Sequence, residues 1–106
     1  MKSSPTGTEP PRAFVVELGT SWNRWAKHRS DSELEQINSR LAELCESFGK
    51  PHEHVGLGVR PLGKAFFEFR IARDLRVVFL FIRPNRFRLM MTGNHDEVRA
   101  WLKENK

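Results

Sequence analysis

Cysteine occurs once in this 106-residue chain, at Cys45, and tyrosine does not occur at all. A single thiol excludes an internal disulfide and leaves no cysteine pair for a structural zinc site. No apolar run approaches the roughly 20 residues that span a bilayer, and the first residues lack the apolar stretch of a secretory leader. The expectation is a cytoplasmic protein without a membrane partner. Acidic residues are scarce in one region: between Arg60 and Arg88 only Glu68 and Asp74 stand against Arg60, Lys64, Arg70, Arg73, Arg76, Arg83, Arg86 and Arg88. From Asp31 to Phe48 the balance reverses, with five acidic residues and one arginine. Arginines crowded into strands point towards an anionic partner, with phosphate leading, although a solvated basic face is the plainer account.

What is present suffices for one core. Hydrophobic residues make up 39% of the chain and include eight phenylalanines and three tryptophans, which excludes general disorder. The opening "MKSSPTGTEPPR" carries three prolines and no large apolar residue after Met1, too little to offset its ordering entropy. Residues 1–12 are therefore read as a flexible arm and 13–106 as a single domain.

Patterning predicts an α+β layout. "AFVVELGTSW" reads as an opening strand. Thr20 or Ser21 offers a cap for a short helix in which Trp22, Trp25 and Ala26 share a face. Leu34, Ile37, Leu41, Leu44 and Phe48 recur at helical spacing, with Ser30 and Glu33 spaced as a capping box and Gly49 and Pro51 as the stop. "KPHEHVGLGVRPLG" reads as a loop, and His52, Glu53 and His54 within it do not define a metal site. Three antiparallel strands follow. "AFFEFRIA" alternates cleanly, "LRVVFLFIR" is apolar on both faces except at Arg76, and "FRLMMTG" sets Phe87, Leu89 and Met91 on one face. "RD" and "PN" supply the turns. Asn94 and Glu97 then have capping-box spacing before a terminal helix striped by Val98, Trp101 and Leu102. The expected arrangement is a small antiparallel sheet with two helices after the first strand and a short C-terminal helix, the helices packed on one sheet face.

This layout puts Glu68, Arg70, Arg76 and Arg88 on neighbouring strands, with His95 where the last strand ends. Cations that hold a phosphate, beside groups able to move protons, are what phosphodiester cleavage requires. Each residue has a second reading. Glu68 beside Arg70 is a common cross-strand ion-pair arrangement. Arg76, interrupting an apolar strand, is either a buried partner of Glu68 or Asp74 or a phosphate clamp. His95 is either a partly exposed residue in the first turn of a helix or a general acid or base.

The stretch "PLGKAFFEFRIARDLRVVFLFIRPNRFRLMMTGNHDEVRAWL" resembles the C-terminal half of the RelE/ParE superfamily of bacterial type II toxins. Leu62 to Ile71 match a leucine–glycine–aromatic–glutamate–apolar–arginine–apolar stretch, Leu75 to Phe79 a strand opening on an aromatic position and an arginine, and Met91 to His95 a strand ending near a histidine or basic cluster. The resemblance implies a small toxin held by a cognate antitoxin protein. In the RelE-like branch it implies cleavage of mRNA on the ribosome without metal or other cofactor, the ribose 2′-hydroxyl attacking the adjacent phosphate. Arg76 matches a phosphate-contacting arginine, Arg70 a basic position, Glu68 a position that is basic in some members, and His95 the basic or histidine position after the last strand. With no tyrosine available, the base would be Glu68 or His95. Lys64, Arg73 and Arg88 would contact nucleic acid, and Trp101 would stack on a base. A ParE-like inhibitor of DNA gyrase, and a non-toxic nucleic-acid-binding relative of the same fold, are the alternatives.

Overall fold

A computed structural model describes residues 14–48 and 58–105. The N-terminal arm, the helix stop at Gly49 and Pro51, and His52, Glu53 and His54 lie outside the described residues. The elements run β1 (Val15–Leu18), α1 (Trp22–Ala26), α2 (Asp31–Ser47), β2 (Arg60–Gly63), β3 (Phe66–Ala72), β4 (Leu75–Ile82), β5 (Arg86–Gly93) and α3 (His95–Asn105). The strands form one sheet in the order β1-β5-β4-β3-β2. All neighbours are antiparallel except β1 and β5, which are parallel. Among the described residues no helix is long and apolar enough to cross a membrane.

Both capping boxes form. Ser30 Oγ accepts from the Glu33 N–H at 3.1 Å while Glu33 returns to the Ser30 N–H at 2.9 Å. Asn94 and Glu97 do the same at 2.8 Å in each direction. These reciprocal bonds satisfy two of the donors that every helix start leaves open. Gly93 lets the second box close, because a Cβ there would lie 2.5 Å from Glu97 Oε1.

The helices do not share one sheet face, contrary to the sequence expectation. Ile37 and Leu44 of α2 pack with Phe69, Val77, Phe79, Phe87 and Leu89 on one side. Val98 and Trp101 of α3 pack with Val78 and Met91 on the other. The cause is local to β5. Val78 pairs with Met91 but Phe79 pairs with Leu89, so Met90 is an extra residue and the register shifts. One extra residue inverts the side-chain parity beyond it. Met91 is thereby turned away from Phe87 and Leu89 and becomes the floor beneath α3. The apolar pattern of β4 is explained by the same division, since Val77 and Phe79 face α2 while Val78 faces α3, all fully buried.

Two smaller differences have similar causes. Trp22 joins the α2-side core whereas Trp25 packs against the α3-side cluster, so the two rings of this short helix are divided between the sheet's faces rather than sharing one. Ser21 occupies the N-cap of α1 without capping it; its hydroxyl instead donates to the Met90 carbonyl at 2.7 Å. Strand β2 lies in a segment whose Pro61 and Gly63 read as loop. It is tolerated because it forms a sheet edge with an irregular register between those residues, where proline need not donate to a ladder.

Candidate functional site

Strand alternation puts Glu68, Arg70 and Arg76 on the α3 side of the sheet, with Phe66 and Val78. Arg60 on β2 is directly opposite Glu68, and Arg70 is directly opposite Arg76. Gly93, two residues before His95, is opposite Arg76. Arg60, Glu68, Arg70, Arg76 and the start of α3 therefore gather at one end of the sheet, and exposed Arg73 occupies the adjoining β3–β4 turn.

The centre of this group is a shared carboxylate. Glu68 is 4% exposed. Its Oε2 accepts from Arg60 Nε at 2.7 Å and lies 3.5 Å from Arg76 Nε. The second contact is an ion pair without hydrogen-bond alignment, and Arg76 Nε has no hydrogen-bond partner. Of the two structural readings for Arg76, pairing with Glu68 is the one observed. The Arg76 backbone is also held, because the buried Thr92 hydroxyl donates to its carbonyl at 2.9 Å. Arg60 was not singled out among the sequence candidates. Its contact depends on the β2–β3 register, which a segment rich in proline and glycine does not reveal.

Arg70 is exposed and forms no ion pair among the described residues. Like charges placed directly opposite across strands are unfavourable unless an anion intervenes. Glu68 supplies one negative charge against the three positive charges of Arg60, Arg70 and Arg76, so the group keeps an excess of positive charge. His95 is partly exposed at the first position of α3, and its ring makes no hydrogen bond or ion pair among the described residues.

The remaining sequence candidates lie elsewhere. Arg88 is opposite Leu80 on β4, four residues from Arg76 and about 13 Å along the strand at the usual rise. It pairs with Glu17, as does Arg86 at 3.4 Å. Lys64 is exposed in the β2–β3 turn with φ 54°, next to the Phe66 end of β3 rather than the Arg70 end. Trp101 is 4% exposed, with its ring edge-to-face against Phe66 at 5.4 Å. A ring buried in the core has no face left for a nucleobase, so Trp101 is a packing residue. Cys45 is partly buried, and burial, with Glu46 nearby, pushes its thiol above the usual range, which makes it a poor nucleophile. Among the described residues no three histidine, cysteine or carboxylate side chains cluster as metal ligands.

Chemically, the excess positive charge of the group can attract an anion to Arg70 and Arg76, and His95 follows two residues after Gly93, the strand partner of Arg76. No family model matches the chain, and no curated protein matches it. Its structure is similar to the RelB–RelE antitoxin–toxin complex of Methanococcus jannaschii, with a TM-score of 0.61 and 9% identity over 81% of this chain and 98% of that one. The E. coli DinJ–YafQ toxin–antitoxin complex gives a TM-score of 0.59 and 15% identity, covering 82% of this chain and 98% of that chain. The Helicobacter pylori protein HP0894 gives 0.54 and 19%, covering 80% and 98%. At these identities the likeness concerns architecture, and the chain has the α+β fold seen in the RelE and YafQ toxin structures.

Proposed function

We propose that the protein is the toxin of a type II toxin–antitoxin pair and cleaves mRNA on the ribosome without a catalytic metal. The observation that carries this reading is the Arg70–Arg76 pair, two arginines directly opposite in the β3–β4 register at the sheet end where α3 begins with His95. The 2′-oxygen of the ribose attacks the adjacent phosphorus while its proton is withdrawn. The bond from phosphorus to the 5′-oxygen breaks, and that oxygen takes up a proton. The products are a cyclic phosphate and a free 5′-hydroxyl. Arg70 and Arg76 offset the charge that builds on the phosphate oxygens. His95 is suited to one of the proton transfers because an imidazole can both accept and donate a proton. Exposed Arg73 adds phosphate attraction beside them, whereas Lys64 and Arg88 lie away from the reacting group.

The neighbours crystallised with RelB and DinJ support an antitoxin partner for this chain as well. The acidic outer face of α2 is a poor RNA surface and is left for protein contacts. A cytoplasmic location follows from a ribosomal substrate.

Purified protein added to translating ribosomes, with only the magnesium that the ribosome needs, is expected to leave mRNA fragments ending in cyclic phosphate. Intact mRNA across many codon contexts would count against the reading. Inhibition of DNA gyrase by binding is favoured by one observation, the occupation of the Glu68 carboxylate by two arginines, which limits the proton-transfer groups. Gyrase-linked DNA breaks that persist in His95→Ala would select it.

A further inference from the structure

Glu68 and His95 both remain candidates for the base if residue type alone is considered, and Arg60 has no assigned role. The geometry separates them. Arg60 Nε and Arg76 Nε both address the same oxygen of Glu68, at 2.7 and 3.5 Å, so the two guanidinium groups flank one carboxylate. The Glu68 side chain is 5% exposed, that of Arg76 14% and that of Arg60 59%. The chain of contacts therefore runs from a surface arginine, through a buried carboxylate, to a mostly buried arginine. Arg76 uses its Nε edge towards Glu68, and its terminal nitrogens donate no hydrogen bond among the described residues. Those nitrogens are the fork that recognises phosphate.

We propose that Arg60 and Glu68 are positioning residues: the Arg60–Glu68 hydrogen bond fixes the carboxylate, and the carboxylate fixes the Nε edge of Arg76 so that its terminal nitrogens meet the scissile phosphate. Glu68 is then not the base. Two features make such a support necessary. Arg70 lies directly opposite Arg76, and their repulsion would otherwise swing the Arg76 side chain away. The Arg76–Glu68 contact also lacks hydrogen-bond alignment, so its direction depends on where Arg60 holds the carboxylate. The inference rests on the cleavage reading above for its kinetic consequence, while its structural consequence can be read without any RNA.

The test uses Arg60→Met, Arg60→Lys and Glu68→Gln in the full chain. Arg60 is more than half exposed, but its replacement by methionine removes the aligned hydrogen bond to the buried Glu68 carboxylate, so Tm is expected to fall and all readouts are taken well below it. By NMR, the Nε–H resonance of Arg76 should move in Arg60→Met, return most of the way in Arg60→Lys, and move furthest in Glu68→Gln. In ribosome-dependent cleavage Arg60→Met should lower kcat about tenfold with KM little changed, the mark of a misplaced group rather than a lost contact. Glu68→Gln should keep the acidic limb of the pH–rate profile. An unmoved Arg76 Nε–H signal in Arg60→Met overturns the proposal, as does loss of the acidic limb in Glu68→Gln, which would make Glu68 the base. If wild-type protein cleaves no RNA, the cleavage reading fails, and the resonance of Arg76 still decides whether Arg60 positions it.

Discussion

The α3 side of the sheet carries two groups of one composition, a glutamate between two arginines, at its two ends. Glu68 is shared by Arg60 and Arg76, and Glu17 by Arg86 and Arg88. The second carboxylate is 30% exposed and its partners 49% and 40%, against 5% for Glu68 and 14% for Arg76. Water and salt screen the Glu17 group, so it adds little to stability or to a directed site. Glu68 and Arg76 are little exposed although Arg60 is 59% exposed, so each of the two buried charges depends on its partners, and removing one strands the other. Charge composition is the same in the two groups; burial of the shared carboxylate is what separates them. The Glu68 group also has Arg70 opposite Arg76 and His95 beyond Gly93, whereas no histidine pairs with the Glu17 group among the described residues.

If this contrast is right, the largest effect belongs to Arg76. Arg76→Ala is expected to reduce ribosome-dependent mRNA cleavage by on the order of 100-fold or more, while Arg88→Ala stays within a few-fold of wild type; equal losses would erase the distinction between the ends. Next in size is stability. Glu68→Ala should cost about 3 kcal/mol in urea unfolding, because it leaves Arg76 without its partner, and Glu17→Ala should cost less than about 1 kcal/mol. A similar cost for both would mean that the burial difference is unimportant. Asn94→Ala comes third. It removes the cap that anchors His95 at the start of α3 and should cost about 1 kcal/mol, with a fall in cleavage larger than that of Ser30→Ala, which loosens the other capping box and leaves the site alone. The smallest effect is a salt dependence. The destabilisation caused by Glu17→Ala should vanish as salt is raised towards about 1 M, while that of Glu68→Ala persists.

Much of the architecture was legible in the residues. The stripe from Leu34 to Leu44 and the reciprocal spacings of Ser30 with Glu33 and Asn94 with Glu97 involve neighbours within one or two turns, so local patterning determines them. The alternation of β3 and the doubly apolar β4 likewise required only a period of two. Errors arose where a single residue changed that period or where distant segments met. Met90 looks like any other apolar strand residue, yet as the extra residue opposite Val78 and Phe79 it reverses the face of Met91 and sends α3 to the opposite side of the sheet. Trp101 has the helical spacing of a core residue; its assignment to base stacking came from the resemblance, and packing against Phe66 removed it.

The grouping of the candidate residues was legible in part. Arg76, Glu68 and Arg70 are two residues apart or joined by a two-residue turn, so their convergence followed from strand alternation and hairpin geometry. Arg88 was grouped with them because sequence shows only that it is on the next strand, not how far along it. Arg60 was missed because nothing within residues 49–63 announces a strand.

By itself, then, the sequence determined which segments are helices and strands apart from β2, which faces of β3 and β4 are apolar, and that an excess of positive charge lies between Arg60 and Arg88. Those properties follow from interactions among residues close in the chain and from composition. Only the tertiary structure decided that Met91 faces α3, that Trp101 is core, and that Glu68 joins Arg60 to Arg76 while Glu17 takes Arg86 and Arg88. Each of these depends on cross-strand register and on burial, and both are set by how whole elements pack.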